Sequence, residues 1–255
     1  MLLGVLCLAA TAQEFRAAPG DGIRPVPENF RFANGQKLQY NAEWRLWNAG
    51  SVTLETSQAG GLEKFTATAS SKNFAAVLYH VYDRFESYLE PHSYCSVRIT
   101  KHTEEGFRRR ETTINFDKKR GRAVLEERNP RNNSYKREES ETPGCVTDVV
   151  SGIFYLSTLP LEVGSTYLFP INDGVKTVNV RAYVAAREEI KTDAGTFKTV
   201  RVEPTAPDSP TLKARGKVWV WYTDDAQHIP VQMRSRLFWG TLTFRLAKME
   251  NSGAK

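Results

Sequence analysis

Asp224, Asp225 and His228, in the stretch KVWVWYTDDAQHIPVQM, are residues whose types could hold a metal ion or share a proton. A metal site needs several ligands in a workable geometry, and one imidazole beside two adjacent carboxylates follows no recognised spacing. The flanking residues offer a plainer role. Alternation through Val218, Trp219, Val220, Trp221 and Tyr222 stops where the two aspartates fall, and Pro230 precedes VQMRSRLF, which resumes it. Aspartate is favoured in turns because its carboxylate bonds local backbone amides. The stretch therefore predicts two strands joined by a turn, and neither a metal site nor a cofactor.

Nucleophilic chemistry is no better signalled. A serine hydrolase needs a base and an orienting acid within hydrogen-bond reach, and the available histidines are His80, His92, His102 and His228. Ser151, in VVSGIF, stands before a glycine without forming the Gly-x-Ser-x-Gly elbow, and is expected to pack in a helical turn. Cys95 and Cys145 sit in no protease signature, and the zinc-protease and phosphate-loop patterns are absent. Paired carboxylates for glycoside chemistry depend on a spatial separation that nothing here selects. No catalytic residue is assigned.

Compartment is more legible. The opening MLLGVLCLAATAQEF is an apolar run ending in Ala10-Thr11-Ala12, a small-residue pattern that predicts a signal peptide over residues 1–12. Leu6 before Cys7 argues against a lipid anchor at that cysteine. Removal of the leader would leave Cys95 and Cys145, a disulfide candidate in an oxidising compartment, although spacing alone does not show that their β-carbons meet. The expected location is the periplasm or cell envelope.

The formal net charge is +6, with basic residues crowding GFRRRETTINFDKKRGR and NNSYKREESE. Such runs attract polyanions or simply solvate a strand face with interleaved glutamates. Export disfavours nucleic acid as the partner and leaves an anionic envelope component.

These residues need elements to position them. APGDGIRPVPENFRF, rich in proline and glycine, reads as part of a flexible linker over 13–29, and a single all-β domain is expected over 30–250. Leu38, Tyr40, Ala42, Trp44 and Leu46 alternate with polar residues, a half-buried strand, and Asn48-Ala49-Gly50 turns it toward SVTLETS. Further strands are expected near 65–71, 84–89, 96–102, 107–116, 122–128 and 133–139. Asp173-Gly174 and Asp193-Ala194-Gly195 mark hairpin turns. Two short helices break the pattern, one carrying Phe74, Val77, Leu78 and Val81, the other Val149, Val150, Ile153, Phe154 and Ser157 with Thr147 or Asp148 as cap. The fold class is all-β: an antiparallel curled sheet, open barrel or sandwich with one or two short helices.

The segments FANGQKLQYNAEWRLWNAGSVTLE, DVVSGIFYLS, TDAGTFKTVRVEP and VWVWYTDDAQHIPVQM, in this order and spacing, resemble the bacterial domain of unknown function 3108 family from about Phe30 to Leu246. The resemblance implies an exported all-β protein and no reaction mechanism. Gln36 and the YLS of the second segment depart from residues common in the family, glutamate and arginine respectively.

Five tryptophans remain to be explained. Trp44, Trp47, Trp219, Trp221 and Trp239, with Tyr222, lie in or beside expected strands, where they either fill the core or line an apolar cavity for a hydrophobic small molecule or lipid. Three readings follow: a non-enzymatic binding or carrier protein, a structural protein meeting an anionic surface or partner through its basic strands, and a hydrolase with an unrecognised site.

Overall fold

The computed structural model describes residues 22–44, 47–206, 216–237 and 240–251, so the expected leader and Trp239 lie outside the described residues. The first half of the chain forms β1 (Gln36–Trp44), β2 (Trp47–Ala59), β3 (Leu62–Ser71), α1 (Asn73–Leu78) and β4 (Val81–Leu89). It continues with β5 (Ser96–Glu105), β6 (Arg108–Asp117), β7 (Arg122–Arg128) and β8 (Tyr135–Glu141). The second half holds α2 (Ser151–Ser157), β9 (Thr166–Asn172), β10 (Thr177–Thr192) and β11 (Gly195–Thr205). β12 (Lys217–Thr223), β13 (Pro230–Leu237) and β14 (Gly240–Asn251) complete it.

All fourteen strands belong to one antiparallel sheet in the order β8-β7-β6-β5-β4-β3-β2-β1-β14-β13-β12-β11-β10-β9. Consecutive strands pair except β8 with β9, and β1 also pairs with β14, Gln36 opposite Asn251. Connections therefore alternate between two ends of the sheet. The upper end carries the β1–β2, β3–α1–β4, β5–β6, β7–β8, β9–β10, β11–β12 and β13–β14 connections; α2 and its flanking segments return the chain from the lower end.

Period-two alternation decides which face turns inward. In β1, Leu38, Tyr40 and Ala42 are buried while Lys37, Gln39 and Asn41 are only partly so. The inward faces of β1–β7 and β9–β14 share one apolar cluster with α2, so the sheet wraps around the helix. Phe154 stacks on Phe65 of β3 with ring centroids 4.2 Å apart, and Tyr155 meets Phe169 of β9 edge-on at 4.9 Å. The helix backbone is tied in too: Tyr94 donates to the Ser151 carbonyl at 3.1 Å and Tyr222 to that of Ile153 at 2.8 Å. The second expected helix is thus a plug inside the sheet. The first ends at Leu78, and Val81 opens β4 instead.

The edges β8 and β9 approach without sharing a ladder. The segment between them closes the seam: Ser96 donates its amide to the Val146 carbonyl at 2.8 Å, Thr147 to that of Pro170 at 3.0 Å, and Asn172 to that of Thr147 at 2.9 Å. A disulfide joins Cys145 of this segment to Cys95 before β5. Gly174, in the β9–β10 turn with φ +99°, leans against β6 and β7, where an added Cβ would sit 2.7 Å from Ile114 and Leu125. The turn needs glycine for its backbone and for its neighbours.

Residues 22–29, expected as part of a flexible linker, are docked instead. Gly22 donates to the Leu168 carbonyl at 2.9 Å, Val26 to that of His92 at 3.0 Å, and the Arg24 amide to the Tyr155 hydroxyl at 2.8 Å. Ile23 and Val26 pack on the core, and these apolar side chains outweigh the proline and glycine around them.

Candidate functional site

The Asp224, Asp225 and His228 stretch forms the β12–β13 turn. Asp225 accepts the amides of Gln227 at 2.9 Å and His228 at 3.2 Å and the Thr223 hydroxyl at 2.8 Å, while Asp224 pairs with Arg187 at 2.9 Å. His228, at φ 43°, sets its Nδ1 3.1 Å from the Ser157 carbonyl. The carboxylates and the imidazole are thus directed to backbone and to different partners.

The other polar cluster is structural in its bonding. Asp148, just ahead of α2, accepts the amides of Val150 at 2.9 Å and Ser151 at 3.0 Å. It also accepts the hydroxyls of Ser87 and, at 2.8 Å, of Ser96. Ser151 is fully buried, with its hydroxyl 3.1 Å from that of Ser96. His80 and His102 face Glu104 on the outside of the sheet, far in register from these serines.

The site with room for a ligand is a cavity of about 840 Å³ between α2 and β9–β14. One wall is helical: Gly152, Ile153 and Leu156 line it, with Val149 at the approach to the helix. Gly152 permits the close packing that shapes this wall, since an added Cβ would lie 2.9 Å from Ile171 of β9. The opposite wall is the inward face of the sheet, including Phe169, Val180, Val220, Tyr222, Met233 and Phe244. Burial raises the Tyr222 phenol well above its ordinary pKa, and its proton is committed to the Ile153 carbonyl. The interior is therefore apolar and carries no charge; Glu203, Lys217 and Arg234 lie at its margin.

Among the described residues, a gap in the sheet gives access. The β11–β12 ladder extends only from Thr199 opposite Thr223 to Val202 opposite Val220. Beyond it, Glu203, Pro204 and Thr205 stay with β10 while Lys217, Val218 and Trp219 stay with β13. Pro204 brings no N–H to a ladder. Side chains of both faces consequently reach the cavity here: Val218 from the inner face, Trp219 and Arg234 from the outer.

The expected aromatic site residues separate. Trp219 and Tyr222 line the cavity. Trp221 is buried on the outer face, its indole donating to Glu188 at 2.8 Å under the Arg234 guanidinium. Trp44 and Trp47 are exposed at the upper end of β1 and β2. Met233 and Phe244 were not singled out from the sequence, and Val149 and Ile153 were expected only as a helix face; alternation could have placed the first two inward, but not the space beside them.

Comparison with known proteins bears on this fold. The family described as "Protein of unknown function (DUF3108)" matches residues 39–247. The chain belongs to this family. No curated protein matches it. Among solved structures, the chain is similar to a β-barrel-like protein of domain of unknown function DUF1849 from Brucella abortus, at 8% identity and a TM-score of 0.57, covering 86% of this chain and 98% of that one. A hypothetical protein from Chlamydia trachomatis matches at 9% identity and 0.39, covering 87% and 89%. A candidate exported protein with a YmcC-like fold from Bacteroides fragilis matches at 8% and 0.35, covering 85% and 96%. The Brucella likeness shows a shared β-barrel-like fold. For this member of the DUF3108 family, function must be argued from the cavity itself.

Proposed function

We propose that this DUF3108 protein is an exported, non-enzymatic binding or carrier protein that takes a hydrophobic, lipid-like ligand into the cavity beside α2. The observation that carries the reading is a space of about 840 Å³ with apolar walls and polar groups confined to its margin. Sites for drug-sized and lipid-like ligands occupy about 300–1,000 Å³ and are lined in this way. The gap between β11 and β12 supplies an entrance that leaves the rest of the sheet intact. Export is the setting that suits the Cys95–Cys145 disulfide.

Native mass spectrometry of the gently purified protein tests this directly, the expected result being a co-purifying lipid removed by organic extraction. In solution, N-phenyl-1-naphthylamine should bind and fluoresce. Val218→Trp, at the half-exposed entrance, should weaken that binding at least tenfold with an unchanged thermal midpoint. A protein free of lipid that also fails to bind the probe would refute the proposal.

A further inference from the structure

The upper end of the sheet carries a feature separate from the cavity interior. Trp47 is 77% exposed, Val77 82%, Leu78 70% and Phe107 88%, with Tyr79 beside them at 54%. Isolated exposed apolar residues are ordinary, but a contiguous group marks an interaction surface. These five come from the β1–β2, α1 and β5–β6 connections, and the backbone holds those connections together. Lys72, entering α1, donates its amide to the Ala49 carbonyl of β2 at 3.0 Å, and Gly106 donates to the His80 carbonyl at 2.8 Å. Gly106, at φ +55°, lies so near the Tyr79 ring that an added Cβ would be 2.9 Å from it. The apolar side chains thus project from a tied framework.

Lys72 and Arg108 flank them, with the exposed Glu105 opposite Arg108 in the β5–β6 hairpin. Lys72 and Arg108 are exposed, and among the described residues neither has a carboxylate within salt-bridge distance. Farther round the same rim, Lys217 and Arg236 oppose one another at the upper end of β12 and β13, also without a carboxylate partner among the described residues. Arg109 and Arg110, by contrast, are occupied by Glu104 and Glu127.

We propose that this rim docks the protein on an anionic bilayer, Trp47, Val77, Leu78, Tyr79 and Phe107 entering the interface and Lys72, Arg108, Lys217 and Arg236 facing lipid phosphates. Aromatic and aliphatic side chains mixed with unpaired cations match the two halves of a headgroup interface, apolar below and negatively charged above. Position supports a bilayer over a protein partner. The β11–β12 gap opens on the same end, and only three strand spacings, about 14 Å, separate β12 from β1. A lipid leaving a docked bilayer would meet the entrance without crossing open water. Docking itself requires no occupied cavity.

The test is co-sedimentation of the full chain with vesicles of phosphatidylethanolamine and phosphatidylglycerol, and with phosphatidylcholine alone. Binding to the anionic vesicles should be at least tenfold the stronger. Trp47→Ser combined with Phe107→Ser should lower it at least tenfold while circular dichroism and the thermal midpoint stay unchanged. Lys72→Glu combined with Arg108→Glu should abolish the preference for anionic lipid. Bromine-labelled lipids should quench the native protein's fluorescence more than that of Trp47→Phe. Absence of native binding, or equal binding by the Trp47/Phe107 variant, would overturn the proposal. So would a dimer in sedimentation velocity that the same pair of substitutions dissolves, since it would place a second copy on the rim. N-phenyl-1-naphthylamine binding, measured on the same variants, separates the two proposals, because loss of docking alone leaves the cavity functional.

Discussion

Asp148 is 1% exposed, yet it gathers hydrogen bonds from two backbone amides and two serine hydroxyls of β4 and β5. A buried acceptor is costly only when its donors are missing, and here the donors outnumber the bonds that one oxygen could satisfy. Asp148→Ala would leave Ser87, Ser96 and the entry to α2 unpaired, and should destabilise the protein by about 3 kcal/mol in urea denaturation. Asp148→Asn, which keeps one acceptor, should cost less. On the inward face of β4, in phase with Phe85 and Ser87, Asp83 behaves differently. Burial first, and the Glu105 carboxylate second, push its pKa up to about 6. The folded chain then holds this proton more tightly than the unfolded chain, so the group's contribution is greatest below the ordinary carboxylate pKa and declines as pH rises through about 6. Asp83→Asn should therefore raise stability at pH 7 by about 1 kcal/mol, discounted for its partial exposure, and leave stability at pH 3 nearly unchanged. Denaturation midpoints at both pH values check the sign.

At the scale of elements, α2 and the seam segment before it act together. A seven-residue helix is far too short to persist alone, so its existence rests on the apolar contacts of Phe154, Tyr155 and Leu156 within the sheet. The Cys95–Cys145 disulfide holds the segment leading to this helix against β5 across a sequence separation of 50. Loop-closure entropy for such a span corresponds to about 4 kcal/mol. The paired substitution Cys95→Ser with Cys145→Ser should lower stability by about 2–4 kcal/mol, and because the seam adjoins the helical wall of the cavity, probe binding should weaken with it. Thermal melts and fluorescence titration of that variant measure both effects. The β11–β12 gap shows the opposite device. Pairing stops after Val202, at the residue pair before Pro204, and an opening results where other neighbouring strands continue their ladders.

For the whole molecule, β1 with β14 is the long-range pairing on which the sheet depends. It joins a β1–β8 half to a β9–β14 half, and both contribute to the one core around α2. Removing residues 240–255 should expose the facing edges of β1 and β13 together and take Leu246 out of the core, so cooperative thermal unfolding should be lost, with aggregation instead. Circular dichroism melts of the truncated chain test this, and a sharp transition near the native midpoint would contradict it. The two rims also divide the work. The lower one holds the β4–β5 connection on which the N-terminal segment docks, whereas the upper one carries the cavity entrance and exposed Trp47, Tyr79 and Phe107.

Local rules made several features of this DUF3108 protein legible in its sequence. Alternation identified β1 and β12, Asp173-Gly174 and Asp193-Ala194-Gly195 marked the β9–β10 and β10–β11 turns, and the break in alternation identified Asp224 and Asp225 as turn residues. Each of these depends on neighbours within a few positions, where side-chain direction and backbone preference are fixed by the chain itself. Tertiary structure decided the remainder. That Trp219 reaches the cavity while Trp221, two residues on, is covered by Glu188 and Arg234 depends on where β11 parts from β12. That Gly152 meets Ile171 depends on how far the sheet curls. Curvature sums small twists over fourteen strands and is limited by the plug inside, so the cavity is a property of the curled sheet with its plug and of no single segment.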